Sequence, residues 1–238
     1  MERIKKYVNY FSKTEIALWS LSVTLIAVSF AAFGRTDYFT LAASLIGVTS
    51  LIFCAKGNPA GQVMMIVFGV FYGIISYGFR YYGEMITYLG MSAPMAVLAL
   101  ISWLKNPYRG DKSQVKVNKI SRRETVFMLV LSAMVTAVFW FILKKLGTAN
   151  LVPSTVSVTT SFIAVYLTFR RSAYYALGYA LNDLILIVLW IMAATEDINY
   201  ISMVICFLVF LANDVYGFFS WLKMQKRQAA ESEQQVSE

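Results

Sequence analysis

Long runs of apolar residues, separated by short polar segments, make up most of the chain. Most of these runs are close to the roughly 20 residues that an α-helix needs to cross a bilayer core about 30 Å thick. The pattern therefore predicts an all-α polytopic membrane protein with eight transmembrane helices. The predicted spans cover residues 16–33, 38–55, 60–79, 84–104, 125–146, 151–169, 172–194 and 200–222.

The composition supports this class and excludes several others. Of the 238 residues, 58% are hydrophobic and 14% are charged, and a soluble domain of this size could hardly bury so much apolar surface. The chain has no histidine, and both cysteines lie inside apolar runs. A transition-metal site has almost no ligands to draw on, so no metal or cofactor is expected. Because no nucleophile elbow or phosphate loop occurs either, we do not expect an enzyme.

The basic residues predict the orientation in the membrane. With the amino terminus in the cytoplasm, only Arg35, Arg80, Lys144 and Lys145 fall on the outer side of the eight spans. The positive-inside rule therefore places both termini in the cytoplasm. The net charge is +8, but because most of the basic residues then lie along the inner surface of a lipid bilayer, their distribution argues against a nucleic-acid partner.

A basic loop at residues 105–124 divides the chain into two halves, and the last span of each half closes with the same tetrapeptide. The tetrapeptide Ser-Trp-Leu-Lys occurs at 102–105, where the fourth span closes, and again at 220–223, where the eighth span closes. This weak repeat predicts two parallel three-helix repeats, a plan known among transporters. The remaining segments are a basic interfacial amino terminus (1–13), an extra helix (14–37), the first repeat (38–104), a linker helix (125–150), the second repeat (151–222) and a disordered cytoplasmic tail (223–238).

Two polar pairs interrupt the apolar runs near their middles. Asn182-Asp183 lies in the seventh span and Asn213-Asp214 in the eighth. A carboxylate in hydrocarbon is costly unless it faces a cavity, a partner or a ligand. Because the two spans run in opposite directions, the pairs reach a similar depth. We expect them to meet across one cavity, although an intramembrane Asn is also a common interhelical hydrogen-bonding residue.

Aromatic and amide side chains complete the candidate binding site. Amides and carboxylates bind hydroxyl groups, and aromatic rings stack on flat ligands and attract cations. The set suits a neutral or singly charged polyol that carries a flat ring, since no basic residue lies at mid-depth to hold an anion. For Trp190, an anchor at the membrane interface is the alternative. The candidate residues are Asn182, Asp183, Trp190, Asn213, Asp214, Tyr179, Tyr216, Gln62, Tyr72, Tyr77 and Tyr88.

Three stretches, at residues 55–107, 178–190 and 206–221, resemble the PnuC family of bacterial nicotinamide riboside transporters. The resemblance implies a fold akin to full-length SWEET sugar carriers, a homotrimer in the bacterial inner membrane, and facilitated diffusion sustained by phosphorylation of the riboside inside the cell. Related branches of the family resemble carriers of thiamine or riboflavin, so either vitamin could be the ligand instead. Two rival hypotheses are proton-coupled transport through Asp183 or Asp214 and a membrane scaffold that transports nothing.

Under the riboside hypothesis the two Asn-Asp pairs and two of the aromatic residues have specific roles. Asn182 and Asn213 bind ribose hydroxyls, and Asp183 or Asp214 faces the positive charge of the pyridinium ring. Trp190 and Tyr179 stack on that ring or gate its access.

Overall fold

The structure, a computed structural model, describes residues 10–33, 37–78, 81–148 and 150–237. Within these residues, eight helices are long and apolar enough to cross a membrane. The predicted class and number of spans are therefore confirmed, although Phe79, the predicted end of the third span, lies outside the described residues. The helices are α1 (Lys13–Phe33), α2 (Tyr38–Ala55), α3 (Ala60–Gly78), α4 (Tyr82–Lys105), α5 (Arg122–Lys145), α6 (Leu151–Phe169), α7 (Tyr175–Glu196) and α8 (Ile201–Ser237).

Short polar motifs set several helix boundaries. The carboxylate of Asp37 accepts a hydrogen bond from the Thr40 backbone N–H at 3.0 Å and begins α2. The Ser121 hydroxyl accepts from the Glu124 N–H at 3.2 Å and begins α5. Each side chain satisfies an N–H group that the first helical turn leaves unpaired. After α2 the chain turns at Gly57, whose φ of 68° is favourable for glycine.

Helix α4 changes its winding near the middle. An α-helical turn at Tyr82–Ile86 passes into a π-helical segment at Thr87–Ser92, and the α-helix resumes at Ala93–Lys105. Pro94 has no backbone N–H to donate, so the hydrogen-bond ladder cannot run through it unchanged. A π-helical segment inside an α-helix is frequent at functional sites, because it re-aims the side chains that follow.

Six of the helices pack as two groups of three, and the two groups also contact each other. In the first group α3 lies between α2 and α4, and in the second group α7 lies between α6 and α8. The last helix of each group packs on the first helix of the other, so that α4 contacts α6 and α8 contacts α2. Helix α1 packs on α8 and α2, and α5 lies mainly along α6. This reciprocal packing is the arrangement that two related three-helix units produce.

The first copy of the Ser-Trp-Leu-Lys tetrapeptide joins the end of α4 to the end of α6. The Trp103 indole N–H donates to the Thr168 carbonyl oxygen at 2.9 Å, and the Ser102 hydroxyl donates to the Phe169 carbonyl oxygen at 2.9 Å. The last carbonyl groups of a helix have no partner within the helix. The two side chains therefore add donors at the end of α6, where the Thr168 carbonyl oxygen also accepts from the Arg171 backbone N–H at 3.0 Å.

The second copy makes the same bonds between α8 and α2. The Trp221 indole N–H donates to the Cys54 carbonyl oxygen at 2.8 Å, and the Ser220 hydroxyl donates to the Ala55 carbonyl oxygen at 2.8 Å. The donor pairs occupy equivalent positions in the two groups, and so do the acceptor pairs. The repeated tetrapeptide is thus a repeated contact between the two groups of helices.

A short β-hairpin occupies part of the basic loop after α4, which the sequence did not predict. Strand β1 (Pro107–Tyr108) pairs antiparallel with β2 (Asp111–Val115). The turn between them is Arg109-Gly110, and both residues have positive φ, 51° and 79°, as tight hairpin turns require. We call the end of the helical bundle that carries it the hairpin end.

The prediction of a disordered tail at 223–238 was wrong for the part that the structure describes. Helix α8 continues without a break to Ser237, and Gln228 anchors it to the loop that follows β1 and β2. The Gln228 side chain accepts from the Val117 N–H at 2.8 Å and donates to the Val115 carbonyl oxygen at 3.1 Å. Local composition predicted disorder because this partner lies more than a hundred residues away in sequence, at |i−j| of 111 and 113.

The two tryptophan–carbonyl bonds are expected to be of similar strength. Trp103→Phe and Trp221→Phe each remove one hydrogen bond, worth about 0.5–1.5 kcal/mol, although the Thr168 and Cys54 carbonyl oxygens keep their backbone donors. Thermal unfolding of the purified protein in detergent should show a lower transition temperature for both variants.

The matched control is Trp140→Phe, because Trp140 is only partly buried on α5. A control variant as unstable as the Trp103 and Trp221 variants would show that the loss of any indole, and not of these two bonds, lowers stability.

Candidate functional site

A small cavity lies between the two groups of helices, near the middle of α3 and α7. Its free volume is about 30 Å³, which is room for roughly one water molecule. Its polar lining comes from Tyr88, Ser92, Ser161, Tyr179, Asn182, Asp183 and Asp214, and its apolar lining from Leu51, Met65, Phe68, Gly69, Phe207 and Phe210. The structure therefore brings together Asn182, both aspartates, Tyr179 and Tyr88, as the sequence predicts.

Asn182 is held in one orientation by a row of hydroxyl groups on α6. Its amide oxygen accepts from Ser157 at 3.2 Å, from Thr160 at 2.8 Å and from Ser161 at 2.9 Å. Three donors on one side fix the oxygen towards α6. The amide nitrogen then remains as the donor that this side chain offers to the cavity.

Asp183 and Asp214 meet at the cavity. Each is only 4% exposed, and both side chains line this cavity. The Oδ2 atom of Asp183 has no hydrogen-bond partner among the described residues. Neither carboxyl group forms an ion pair with a Lys or Arg of the described chain. Such buried carboxyl groups are expensive without a compensating partner, which is the usual mark of a ligand or ion pathway.

Aromatic rings surround the carboxyl pair from the first group of helices and from α8. Tyr88 projects from the π-helical segment of α4, and its ring centroid is 4.4 Å from that of Tyr72 and 6.0 Å from that of Phe68. On α8, the ring centroids of Phe207 and Phe210 are 5.6 Å apart. The faces and edges of these rings provide a shell that can accept a flat cationic group.

The hairpin end of the cavity is closed by three buried rings. Trp103 and Trp221 lie 5.3 Å apart between centroids, and Tyr175 lies 4.8 Å from Trp221. All three side chains are at most 3% exposed. We call this set the hairpin-end cluster, and it lies next to the cavity because the Tyr175 ring is 6.2 Å from the ring of Tyr179, which lines it.

A second set of rings closes the opposite end. The Trp190 indole N–H donates to the Tyr72 hydroxyl oxygen at 2.9 Å and so bridges the two groups of helices. Tyr81 and Tyr200 pack edge-on against Trp190, at 5.4 and 5.9 Å between centroids. We call these four residues the opposite-end cluster. Trp190 and Tyr72 therefore lie beside the cavity as part of its closure and do not line it.

The remaining predicted residues are not brought to the cavity. Asn213 points towards α1, where its amide nitrogen donates to the Ser22 hydroxyl at 2.9 Å and, within α8, to the Val209 carbonyl oxygen at 2.8 Å. Tyr216 donates to Glu15 of α1 at 3.3 Å. These two side chains attach the extra helix to the second repeat, which is the interhelical role left open for an intramembrane Asn.

Gln62 and Tyr77 also lie elsewhere. The Gln62 amide donates to the sulfur of Cys54 at 3.3 Å, between α3 and α2. Tyr77 is 62% exposed on the outer surface of the bundle. Both residues are on α3, an apolar helix whose cavity-facing side could not be identified from composition alone.

The hydroxyl groups of α6 were not predicted from the sequence. The segment 154–161 reads Ser-Thr-Val-Ser-Val-Thr-Thr-Ser, and this density of hydroxyls within an apolar span was the signal that could have identified them. Hydroxyl side chains in spans commonly bond to their own backbone, as Thr155 does to the Leu151 carbonyl oxygen at 2.8 Å. Their convergence on Asn182 depends on how α6 faces α7.

Comparison with known proteins identifies the family of this chain. A sequence model described as "Nicotinamide mononucleotide transporter" matches residues 37–223. The chain belongs to this transporter family. Because the family consists of transporters, the prediction of a membrane transporter and not an enzyme is confirmed.

Two relatives and one solved structure extend the match over nearly the whole chain. The nicotinamide riboside transporter PnuC of Neisseria mucosa is 25% identical over 220 residues, which cover 90% of this chain and 83% of that protein. The protein of the same name from Haemophilus influenzae is 21% identical over 226 residues, which cover 94% and 96%. The crystal structure of the vitamin B3 transporter PnuC has the same fold, with a TM-score of 0.80 at 23% identity over 92% of this chain and 94% of that chain.

The two asparagines give a direct test of whether the ligand binds at the cavity, beside Asn182 of α7, or near α1, beside Asn213 of α8. Asn182→Ala removes the amide donor at the cavity, and ligand affinity should fall by about tenfold or more, equivalent to about 1.4 kcal/mol. Asn213→Ala removes bonds to Ser22 and Val209, so it should lower thermal stability and leave affinity within about threefold.

Equilibrium binding to the purified protein, measured beside a thermal unfolding scan, separates the two effects. A large loss of affinity in Asn213→Ala, with Asn182→Ala unaffected, would contradict the placement of the site.

Proposed function

We propose that this protein imports nicotinamide riboside across the bacterial inner membrane by alternating access, with both termini in the cytoplasm. The observation that carries the proposal is the mid-helix cavity, where two buried carboxyl groups without a cationic partner in the described chain face a shell of aromatic rings. The relatives named nicotinamide riboside transporter support the choice of ligand. The orientation rests on the distribution of Lys and Arg.

The charge of the cavity favours a cation. The proposed ligand joins a ribose to a pyridinium ring that carries one positive charge. That charge compensates a carboxylate of Asp183 or Asp214, and the ring gains cation–π attraction from Tyr88, Phe68 or Phe207. The Asn182 amide donates to a ribose hydroxyl, and Asp183 Oδ2 is free to accept from another.

The carboxyl groups of the cavity also disfavour the mononucleotide that appears in the family's description. A mononucleotide adds a phosphate group to the riboside, and phosphate sites are built from Arg, Lys or backbone N–H groups. The residues that line the cavity include no Lys or Arg among the described part of the chain, and two carboxyl groups would repel the phosphate. The lining therefore supports a riboside over its phosphate ester.

The aromatic clusters at the two ends of the cavity support alternating access. A cavity of about 30 Å³ cannot hold a riboside, so the two groups of helices must separate when a ligand binds. The hairpin-end cluster and the opposite-end cluster each join the two groups, and opening one while the other stays closed exposes the cavity to one side only. Transport would then be facilitated diffusion, sustained by phosphorylation of the riboside inside the cell.

The oligomeric state is a separate proposal. The resemblance to the PnuC family supports a homotrimer with a fold akin to SWEET carriers. Native mass spectrometry of the detergent-solubilised protein should give a dominant species of three chains, and a dominant single chain would contradict the proposal.

Binding of a small panel of vitamins tests the proposed function. The purified protein is titrated with nicotinamide riboside, nicotinamide mononucleotide, thiamine and riboflavin, and saturable binding is expected for the riboside. The mononucleotide should bind at least about tenfold more weakly, because its phosphate meets two carboxyl groups and no cation.

Three different results would each favour a different function. Preferential binding of thiamine, also a cationic ring compound, would reassign the ligand and keep the charge argument. Preferential binding of riboflavin, which is uncharged, would contradict that argument. No saturable binding of any of the four compounds would favour a membrane scaffold in which the polar pairs only hold helices together.

A further inference from the structure

Glu84 is a buried carboxyl group whose role the proposed site does not explain. Its side chain is 2% exposed, and neither of its oxygens has a hydrogen-bond partner among the described residues. No Lys or Arg of the described chain forms an ion pair with it. Glu84 lies in the first turn of α4, where an acidic side chain commonly accepts from backbone N–H groups, but it accepts none from the described chain. An unpaired buried acid in a membrane span is the usual mark of a ligand or ion pathway.

Glu84 lies between the opposite-end cluster and the cavity. Tyr81, which immediately precedes α4, packs on Trp190 of that cluster at 5.4 Å between ring centroids, and Tyr88 lines the cavity. Glu84 comes three residues after Tyr81 and four residues before Tyr88. Residues three or four apart lie on the same face of a helix. One face of α4 therefore carries a residue of the closed end, then Glu84, then a residue of the cavity.

Helix α6 supplies a polar face across from the start of α4. The two segments pack together, and a β-carbon placed at Gly83 would lie 3.4 Å from that of Ser154. Ser154, Ser157 and Ser161 follow one another at the same three- and four-residue spacing, and all three are buried. Ser161 lines the cavity. The hydroxyl face of α6 therefore leads from the residue next to Glu84 to the cavity.

We propose that Glu84 is a second binding position for the ligand's cationic ring, on the path between the opposite-end cluster and the cavity. When that cluster opens, the Glu84 carboxylate compensates the positive charge of the ring before the ring reaches Asp183 and Asp214. Thr87 of α4, 0% exposed and with a hydroxyl group that has no partner among the described residues, offers a hydrogen bond at the same position. This inference rests on the proposed function, because it assumes a cationic ligand.

The position of Glu84 determines which step of transport it affects. A fixed negative charge on the path lowers the free energy of a cation that passes it and has little effect on a neutral molecule. Glu84 does not line the cavity, so equilibrium binding there does not depend on it directly. Glu84 therefore affects how fast a cation crosses and not the concentrations at which transport reaches equilibrium, and transport remains facilitated diffusion.

Uptake of a cation and of a neutral molecule of the same shape tests this role. Initial rates are measured well below half-saturation, in membrane vesicles that contain the full-length protein, for nicotinamide riboside and for benzamide riboside, in which carbon replaces the charged ring nitrogen. Glu84→Gln should lower the rate for nicotinamide riboside by about tenfold, because a charge-assisted contact is lost, and leave the rate for the neutral analogue within about twofold. Glu84→Asp keeps the charge and should restore most of the rate.

Two controls separate this role from a structural one. Glu196→Gln removes an exposed carboxyl group at the end of α7, on the same side of the bundle as Glu84, and should leave both rates within about twofold because exposed charges are screened. Equilibrium binding of nicotinamide riboside to purified Glu84→Gln should stay within about threefold of the wild type, and its thermal unfolding temperature should not fall, because Gln has the shape of Glu and removes a buried acid.

Four results would overturn the inference. An unchanged rate in Glu84→Gln would remove Glu84 from the path, and an equal loss for the two ribosides would make its role structural. An equal loss in Glu196→Gln would assign the effect to surface charge. A loss of equilibrium affinity as large as the loss of rate would make Glu84 part of the cavity. Each of these leaves the proposed function intact, whereas failure of the wild-type protein to transport nicotinamide riboside would remove the proposed function and this inference with it.

Discussion

The carboxyl groups of Asp183 and Asp214 line one cavity inside a bundle of apolar helices, and the described chain gives neither of them a cationic partner. Several neighbouring side chains are arranged around these buried groups. The Asn182 amide is oriented by three hydroxyls of α6, and the π-helical segment of α4 turns Tyr88 towards the pair. A site of this kind is costly to build in hydrocarbon. Its features are consistent with a ligand that brings the missing positive charge.

The two ends of the cavity are closed by different means, and both closures cross between the groups of helices. At the hairpin end, Trp103 and Trp221 donate to the last carbonyls of α6 and α2 and also pack against each other. At the opposite end, the Trp190–Tyr72 hydrogen bond joins α7 to α3. The repeated tetrapeptide therefore has a consequence beyond the packing of the helices. It places an equivalent pair of contacts where the two units must separate for a ligand to pass.

Much of this could be predicted from sequence because hydrophobicity and depth are local properties. The length of each apolar run determined the number of spans, and counting residues along two antiparallel spans placed Asp183 and Asp214 at one level. In a helix that is apolar on every side, the local sequence does not show which way a given side chain faces. Asn213 and Tyr216 were assigned to the cavity for this reason, although they bond to α1. The hydroxyls of α6 and the helical tail depend on distant partners, which no single segment reveals.

The most direct test of the central claim is a structure of the protein with nicotinamide riboside bound. We expect ligand density between the two groups of helices, with the pyridinium ring against the Asp183–Asp214 carboxyl groups and a ribose hydroxyl accepting from the Asn182 amide nitrogen. We also expect one of the two aromatic clusters to remain closed. Density beside Asn213 and α1, or anywhere away from the carboxyl pair, would contradict the proposed site.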